Sequence, residues 1–140
     1  IGRVESEHGR IGPAEVDADG VARPSIIGIP LDGTDGSREV RDSDGGRLDG
    51  DVLLDRAVGP MQFLPATWRN YGADGNGDGV RDPQQIDDAA LAAARYLCAD
   101  GRDTASGPGW WDGVLAYNRS LAYGRLVWAA AERYAGPGNP

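Results

Sequence analysis

Residues 59–97 read GPMQFLPATWRNYGADGNGDGVRDPQQIDDAALAAARYL, and the fold class turns on them. Two helical patterns flank one tight acidic loop. In the first, Pro60 near the start and Gly72 at the end give the asymmetry of a short helix. In the second, Ile86, Ala90, Ala93 and Leu97 recur at helical spacing, and Gly101 can close the helix. Downstream, PGWWDGVLAYN places Trp110, Val114 and Tyr117 on one face, and SLAYGRLVWAAAERYAG repeats the pattern with Tyr123, Val127, Ala130 and Tyr134. Trp68, Trp110, Trp111 and Trp128 are expected to build the small core. No internal repeat and no heptad seam is visible.

Upstream of Gly59 the composition changes. Residues 12–58 are rich in Gly, Asp and Pro, and the glycines recur too often for long helices. Two readings stay open: a partly flexible insert, or an ordered wall of a substrate cleft anchored by IIGIPL and DVLL. The expected architecture is mainly α, in a compact helical domain over residues 1–135 with an irregular Gly/Asp-rich segment and a short tail at 136–140.

The 140 residues suit one domain, with 22 Asp+Glu against 14 Lys+Arg. All of the basic residues are Arg, and the acids are 17 Asp to 5 Glu. A net charge of -8 argues against nucleic acid as a partner, because phosphate binding wants a basic face. No apolar run approaches the roughly 20 residues of a membrane span, so a soluble chain is expected. Cys98 has no second cysteine to pair with. The chain opens at Ile1 without Met, which suggests a processed precursor or a trimmed chain, with any targeting segment removed.

His8 is the only histidine, so no pattern supports a Ser-His-Asp triad, and neither H-E-x-x-H nor C-x-x-C occurs. Without Lys there is no phosphate loop of the Gly-Lys type. What remains in quantity is carboxylate. In the loop DGNGDGVRD, Asp74, Asn76 and Asp78 stand at positions one, three and five of a calcium-loop pattern. Gly79 permits the sharp turn at six, and Val80 offers its carbonyl at seven. Position twelve is Gln85, which cannot give a bidentate carboxylate. Asp87 or Asp88 can supply it if the loop is longer than standard. A solvated Asp/Gly turn that binds nothing is the bland alternative.

Glu5, in IGRVESEHGR, follows Ile1 and Val4 on an apolar face, while Glu7 and Arg10 read as solvent-side residues. A carboxyl beside apolar groups has its charged form disfavoured, which suits a general acid. An ordinary surface Glu is the commoner case. Gln62, Tyr96, Tyr117, Asn118 and Tyr123 lie on the expected helices, and ordinary packing would explain each of them.

Together, V-E-S-E-H-G, G-P-M-Q-F-L-P-A-T-W, D-G-N-G-D-G and L-A-Y-N-R-S-L-A-Y occur in the order seen in peptidoglycan lytic transglycosylases. Over essentially the whole chain the sequence resembles the membrane-bound lytic murein transglycosylase B type, in an actinobacterial form. The resemblance implies an α+β, lysozyme-like catalytic domain that cleaves glycan between N-acetylmuramic acid and N-acetylglucosamine, leaving 1,6-anhydromuramyl ends. It assigns the single catalytic carboxyl to Glu5 and cleft positions to Gln62, Tyr96, Tyr117, Asn118 and Tyr123. It also implies structural Ca2+ in an EF-hand-like loop over residues 74–88, held by Asp74, Asn76, Asp78, the Val80 carbonyl and Asp88, because the family's cleft Tyr falls eight residues beyond the last ligand. Relatives carry chain ahead of the glutamate, so Glu5 is expected in a first helical turn, where the helix N-terminus favours the ionised carboxylate. A partner for Cys98 would belong to that preceding stretch. The implied setting is a secreted or cell-envelope monomer acting on peptidoglycan glycan strands. Two rivals remain. A muramidase would need a second carboxylate from Asp42, Asp44, Asp49, Asp51 or Asp55, and a calcium-dependent wall-binding module would not need Glu5 at all.

Overall fold

The computed structural model describes residues 1–34 and 38–136, so the expected tail lies, from Pro137 onward, outside the described residues. The element order is α1 (Gly2–Ser6), β1 (Glu15–Val16), β2 (Ala22–Arg23), β3 (Ile27–Pro30), β4 (Arg56–Val58), α2 (Pro65–Tyr71), α3 (Ile86–Leu97), α4 (Gly107–Tyr117) and α5 (Leu121–Ala135). Helices with two small antiparallel sheets agree with the expected α+β, lysozyme-like class. α3 packs between α2 and α4, and α5 packs against α4 and α1.

The Gly/Asp-rich front is hydrogen-bonded structure rather than helix. β1 pairs with β2 in the register Glu15↔Arg23 and Val16↔Ala22, while β3 pairs with β4 through Ile27↔Val58 and Pro30↔Arg56. Between β3 and β4 the chain is held by aspartates. Asp42 accepts from the backbone N–H of Asp44, Gly45 and Gly46, and Asp44 accepts from Arg47 and Leu48. Asp49 accepts from Asp51 and Arg56 N–H, and Asp51 from Leu53 and Leu54. Side-chain acceptors thus supplement a short backbone pairing, in which Asp42 N–H donates to the Leu53 carbonyl and Asp55 N–H to the Val40 carbonyl, as Asp does well in turns. DVLL is not the expected apolar anchor: Val52 and Leu53 are 67% and 75% exposed. The anchor is Asp55, which is fully buried and accepts from both the N–H and the hydroxyl of Ser43.

Three helix expectations also need correction. The segment after Gly59 does not start helical at Pro60. Residues 59–62 form a turn in which Gly59 has φ +75° and Gln62 N–H donates to the Gly59 carbonyl at 3.0 Å. Val58 and Phe63 then exchange two backbone bonds of 2.9 Å, and the helix begins at Pro65, where the missing N–H costs nothing. On α3 the buried face is Asp88, Ala89, Ala92 and Ala93, with Ala90 exposed. The Gln85 side chain caps the Asp87 and Asp88 N–H groups and Asp88 turns into the preceding loop, which fixes the rotation of the helix. Of the four tryptophans, Trp68 is buried in the core with Met61, Phe63, Ala73, Ala89, Ala92 and Ala93, and Trp110 is half-buried against the Val114, Tyr123 and Val127 cluster. Trp110, Trp111 and Trp128 associate with each other on the outer side of α4 and α5, and Trp128 is 45% exposed. Of the apolar stripe expected on α5, Tyr123, Val127 and Ala130 are buried, whereas Tyr134 is exposed and meets His8.

Candidate active site

α1 has only five residues, too few to hold itself in water, so its position depends on docking. Ser6 supplies the dock: its buried hydroxyl donates to the Pro60 carbonyl at 2.6 Å and accepts from Gly9 N–H at 2.8 Å. Gly2 permits close approach, since a Cβ there would lie 2.9 Å from the Met61 Cε. The result sets Glu5 against the 59–62 turn and α5.

Tyr123, buried on α5, donates its hydroxyl to Glu5 Oε1 at 2.6 Å. Burial pushes the Glu5 carboxyl above its ordinary range, against the opposing pull of the Tyr123 hydrogen bond and the Ile1 amino group. Tyr123 is itself pushed well above its ordinary value, by burial first and then by the charge of Glu5, so it stays a donor. Tyr117 is raised in the same way, by burial and then by Glu5, and its hydroxyl donates to the Met61 carbonyl at 2.6 Å.

Tyr117 connects this pair to a cleft of about 500 Å³ whose lining includes Gln62, Tyr96, Tyr117, Thr67, Leu31 and Arg119. Tyr96 donates to the Ala116 carbonyl at 2.9 Å and lies between the rings of Tyr71 and Tyr117, with centroids 4.7 and 5.5 Å away. Gln62 has φ +50°, a left-handed conformation that a non-glycine residue adopts at a cost. Its Nε2 donates to the Gly59 carbonyl, and it also lines a second recess of about 230 Å³ beside Ile27 and Gly28. Gln62 thus stands where two recesses meet. Glu5, Tyr123 and Asn118 are not part of this cleft lining: the first two lie behind Tyr117, whereas Asn118 is exposed at the end of α4 and its Oδ1 accepts from Ser120 N–H. Leu31 belongs to IIGIPL, read from sequence as an anchor of a cleft wall, whereas Thr67, Arg119 and the supporting Tyr71 were not singled out. Of these three, Arg119, beside Asn118 in LAYNR, carried a local signal.

In the acidic loop, Asp88 is buried and spans both arms, accepting from Gly75 N–H at 2.7 Å and from Asp82 N–H at 2.8 Å. Asp87 is exposed and points its backbone N–H at Gln85. Asp74 accepts from Gly77 and Gly79, and Asp78 from Val80 and from the Asn76 amide. Each carboxylate oxygen keeps lone-pair capacity beyond these bonds, and every donor of the expected set is a hard oxygen, so the residues fit a calcium-type cation. Among the described residues, the group of three carboxylates whose oxygens lie within 4.8 Å of one another is Asp42, Asp44 and Asp55, upstream of this loop, and Asp74, Asp78 and Asp88 do not form such a group. Those oxygens already hold the turn described above.

Residues 55–111 match the family model of the transglycosylase SLT domain. No curated protein and no solved structure gives a match. The matched stretch contains Gln62, the acidic loop and Tyr96, while Glu5, Tyr117 and Tyr123 fall outside it. Over that stretch the chain is similar to the transglycosylase SLT domain, which supports a lysozyme-like, peptidoglycan-degrading family.

Proposed function

We propose that the chain is a lytic transglycosylase of the membrane-bound lytic murein transglycosylase B type, acting on the β-1,4 bond between N-acetylmuramic acid and N-acetylglucosamine. The observation that carries this reading is the half-buried Glu5 carboxyl, raised by burial and held at one oxygen by Tyr123. With Oε1 taken by the Tyr123 hydroxyl, Oε2 is the oxygen left to carry the transferable proton. Glu5 Oε2–H protonates the glycosidic oxygen, the C1–O bond breaks, and the carboxylate so formed takes the proton of the muramyl C6 hydroxyl as that oxygen attacks C1. The ring closes as a 1,6-anhydro sugar, and Glu5 is again protonated.

A hydrolase would instead need a second carboxylate to hold water. Asp42, Asp44, Asp49, Asp51 and Asp55 are engaged with backbone N–H groups and with Ser43, which supports intramolecular closure over hydrolysis. Gln62, Tyr96 and Tyr117 would position the sugar rings along the cleft, with Tyr123 acting through Glu5. Calcium bound by Asp74, Asn76, Asp78, the Val80 carbonyl and Asp88 would be structural, tying the loop to the helix that carries Tyr96. Peptidoglycan as substrate implies an exported or envelope setting; no helix among the described residues is long and apolar enough to cross a membrane. Glu5→Gln tests the assignment. Sacculus digestion should fall by about a hundred- to ten-thousandfold while the fold and glycan binding persist. Unchanged digestion would move the role to another carboxyl.

A further inference from the structure

A recess of about 540 Å³, separate from the cleft, is lined by Arg47, Arg69, Arg81, Ser43, Asp44 and Trp68, among others. Three guanidinium groups meeting in one recess is unexpected on a chain of net charge -8. Among the described residues none of the three belongs to an ion pair, although Arg23, Arg41, Arg56 and Arg102 all do. Arg69 Nη1 donates to the Ser43 carbonyl at 3.1 Å and Arg81 Nη1 to the Gly72 carbonyl at 3.4 Å. Arg69 and Arg81 are thereby each held at one nitrogen, and among the described residues the other donors of these two and the Arg47 guanidinium have no hydrogen-bond partner. The one acid in the lining, Asp44, already accepts from the Arg47 and Leu48 N–H groups.

α2 is the wall between this recess and the cleft. Leu64 and Thr67 line the cleft, whereas Pro65, Trp68 and Arg69 line the recess. A helix is about 10 Å across with its side chains, and four extended residues span about 13 Å. An acidic peptide attached to a sugar ring in the cleft therefore has the reach to cross α2. Forked guanidiniums are suited to carboxylates, which they engage with two parallel hydrogen bonds.

We propose that the Arg47–Arg69–Arg81 recess binds the free carboxylates of the peptide carried by the muramyl residues, so that the protein selects peptide-bearing over bare glycan. This rests on the transglycosylase reading for the glycan, but the recess can be tested without catalysis. The probe is the free stem peptide, titrated by NMR against the full chain, beside the same peptide with its carboxylates amidated. The free peptide should bind, and the amidated form should lose most of that affinity. Arg47→Glu and the Arg69→Gln/Arg81→Gln double variant should each weaken binding by at least about threefold per arginine. Arg69→Lys should recover part of the loss, and Arg95→Gln, on the exposed side of α3, should change nothing. In digestion, the same variants should raise KM on peptide-bearing glycan at little changed kcat, and leave peptide-stripped glycan unaffected. Equal binding of free and amidated peptide, or arginine-independent binding, overturns the proposal. So does arginine-dependent binding of a poly(glycerol phosphate) with none of the peptide. Loss of glycan cleavage in the wild type, with peptide binding intact, would instead refute the catalytic reading alone.

Discussion

Tyr123→Phe removes one hydroxyl and little else, because the ring stays packed with Val114 and Val127. What is lost is the 2.6 Å bond to Glu5 Oε1. When Glu5 is ionised, that bond is a charge-assisted one worth about 1.5–3 kcal/mol; when Glu5 is protonated it is a neutral bond of about 0.5–1.5 kcal/mol. The variant should therefore lose more stability at pH 8 than at pH 4. The sign follows from linkage. Burial raises the Glu5 carboxyl in the folded state, so its contribution to stability is fully present below the ordinary carboxylate range and is lost as pH rises through the raised value. The Tyr123 bond opposes that rise, so removing it lifts Glu5 further and widens the window over which stability falls. At about 3 °C per kcal/mol for a chain of this size, melting curves across pH 4–8 resolve the difference. In digestion, the alkaline limb of the pH–rate profile, where Glu5 loses its proton, should move to higher pH. A loss of stability independent of pH, with an unmoved alkaline limb, would refute the coupling of Tyr123 to Glu5.

Three further outcomes follow from the geometry. Asp88→Ala and Asp78→Ala should each lower the melting temperature and erase its response to calcium, which at a hundredfold excess over the dissociation constant is worth about 3 kcal/mol. Asp87→Ala should keep that response, since this side chain lies exposed at the helix start; calorimetry with calcium and with chelator reads all three. Gly59→Ala should destabilise by about 3 kcal/mol or more, because its Cβ would sit 1.8 Å from the Pro83 carbonyl oxygen at φ +75°; a denaturant melt with less than about 1 kcal/mol lost would contradict the packing of this turn.

How far the sequence could be read depended on whether a residue's role was local. Period marked α4 and α5 well; the caps that start them, Ser106 and Ser120, bond N–H groups three residues on and were not read from the sequence. The start of α2 was misplaced because Pro60 and Pro65 carry the same local signal, and the bridge between Val58 and Phe63 decides between them. Ala90 was assigned to the wrong face because alanines at 89, 90, 92, 93 and 94 run around the helix and do not mark its buried side; the rotation comes from Asp88 entering the loop. DVLL misled because Val52 and Leu53 are exposed and the buried residue is Asp55, whose partner Ser43 lies twelve residues upstream. At the site, Glu5 and Tyr123 are 118 residues apart, so no spacing rule could join them, and only the ordered motifs suggested it. The arginine recess had no motif at all, because its walls come from separate turns of the chain.

Intramolecular closure driven by one carboxyl is read from the masses of the released muropeptides. Sacculi digested with the wild-type chain, and with Glu5→Gln beside it, should be compared by mass spectrometry. The wild type should release muropeptides lighter by one water than the hydrolytic products, as 1,6-anhydro ends require, and Glu5→Gln should release almost none. Reducing ends of full mass from the wild type would mean that a water is delivered by a second carboxylate, and would contradict the single-carboxyl mechanism.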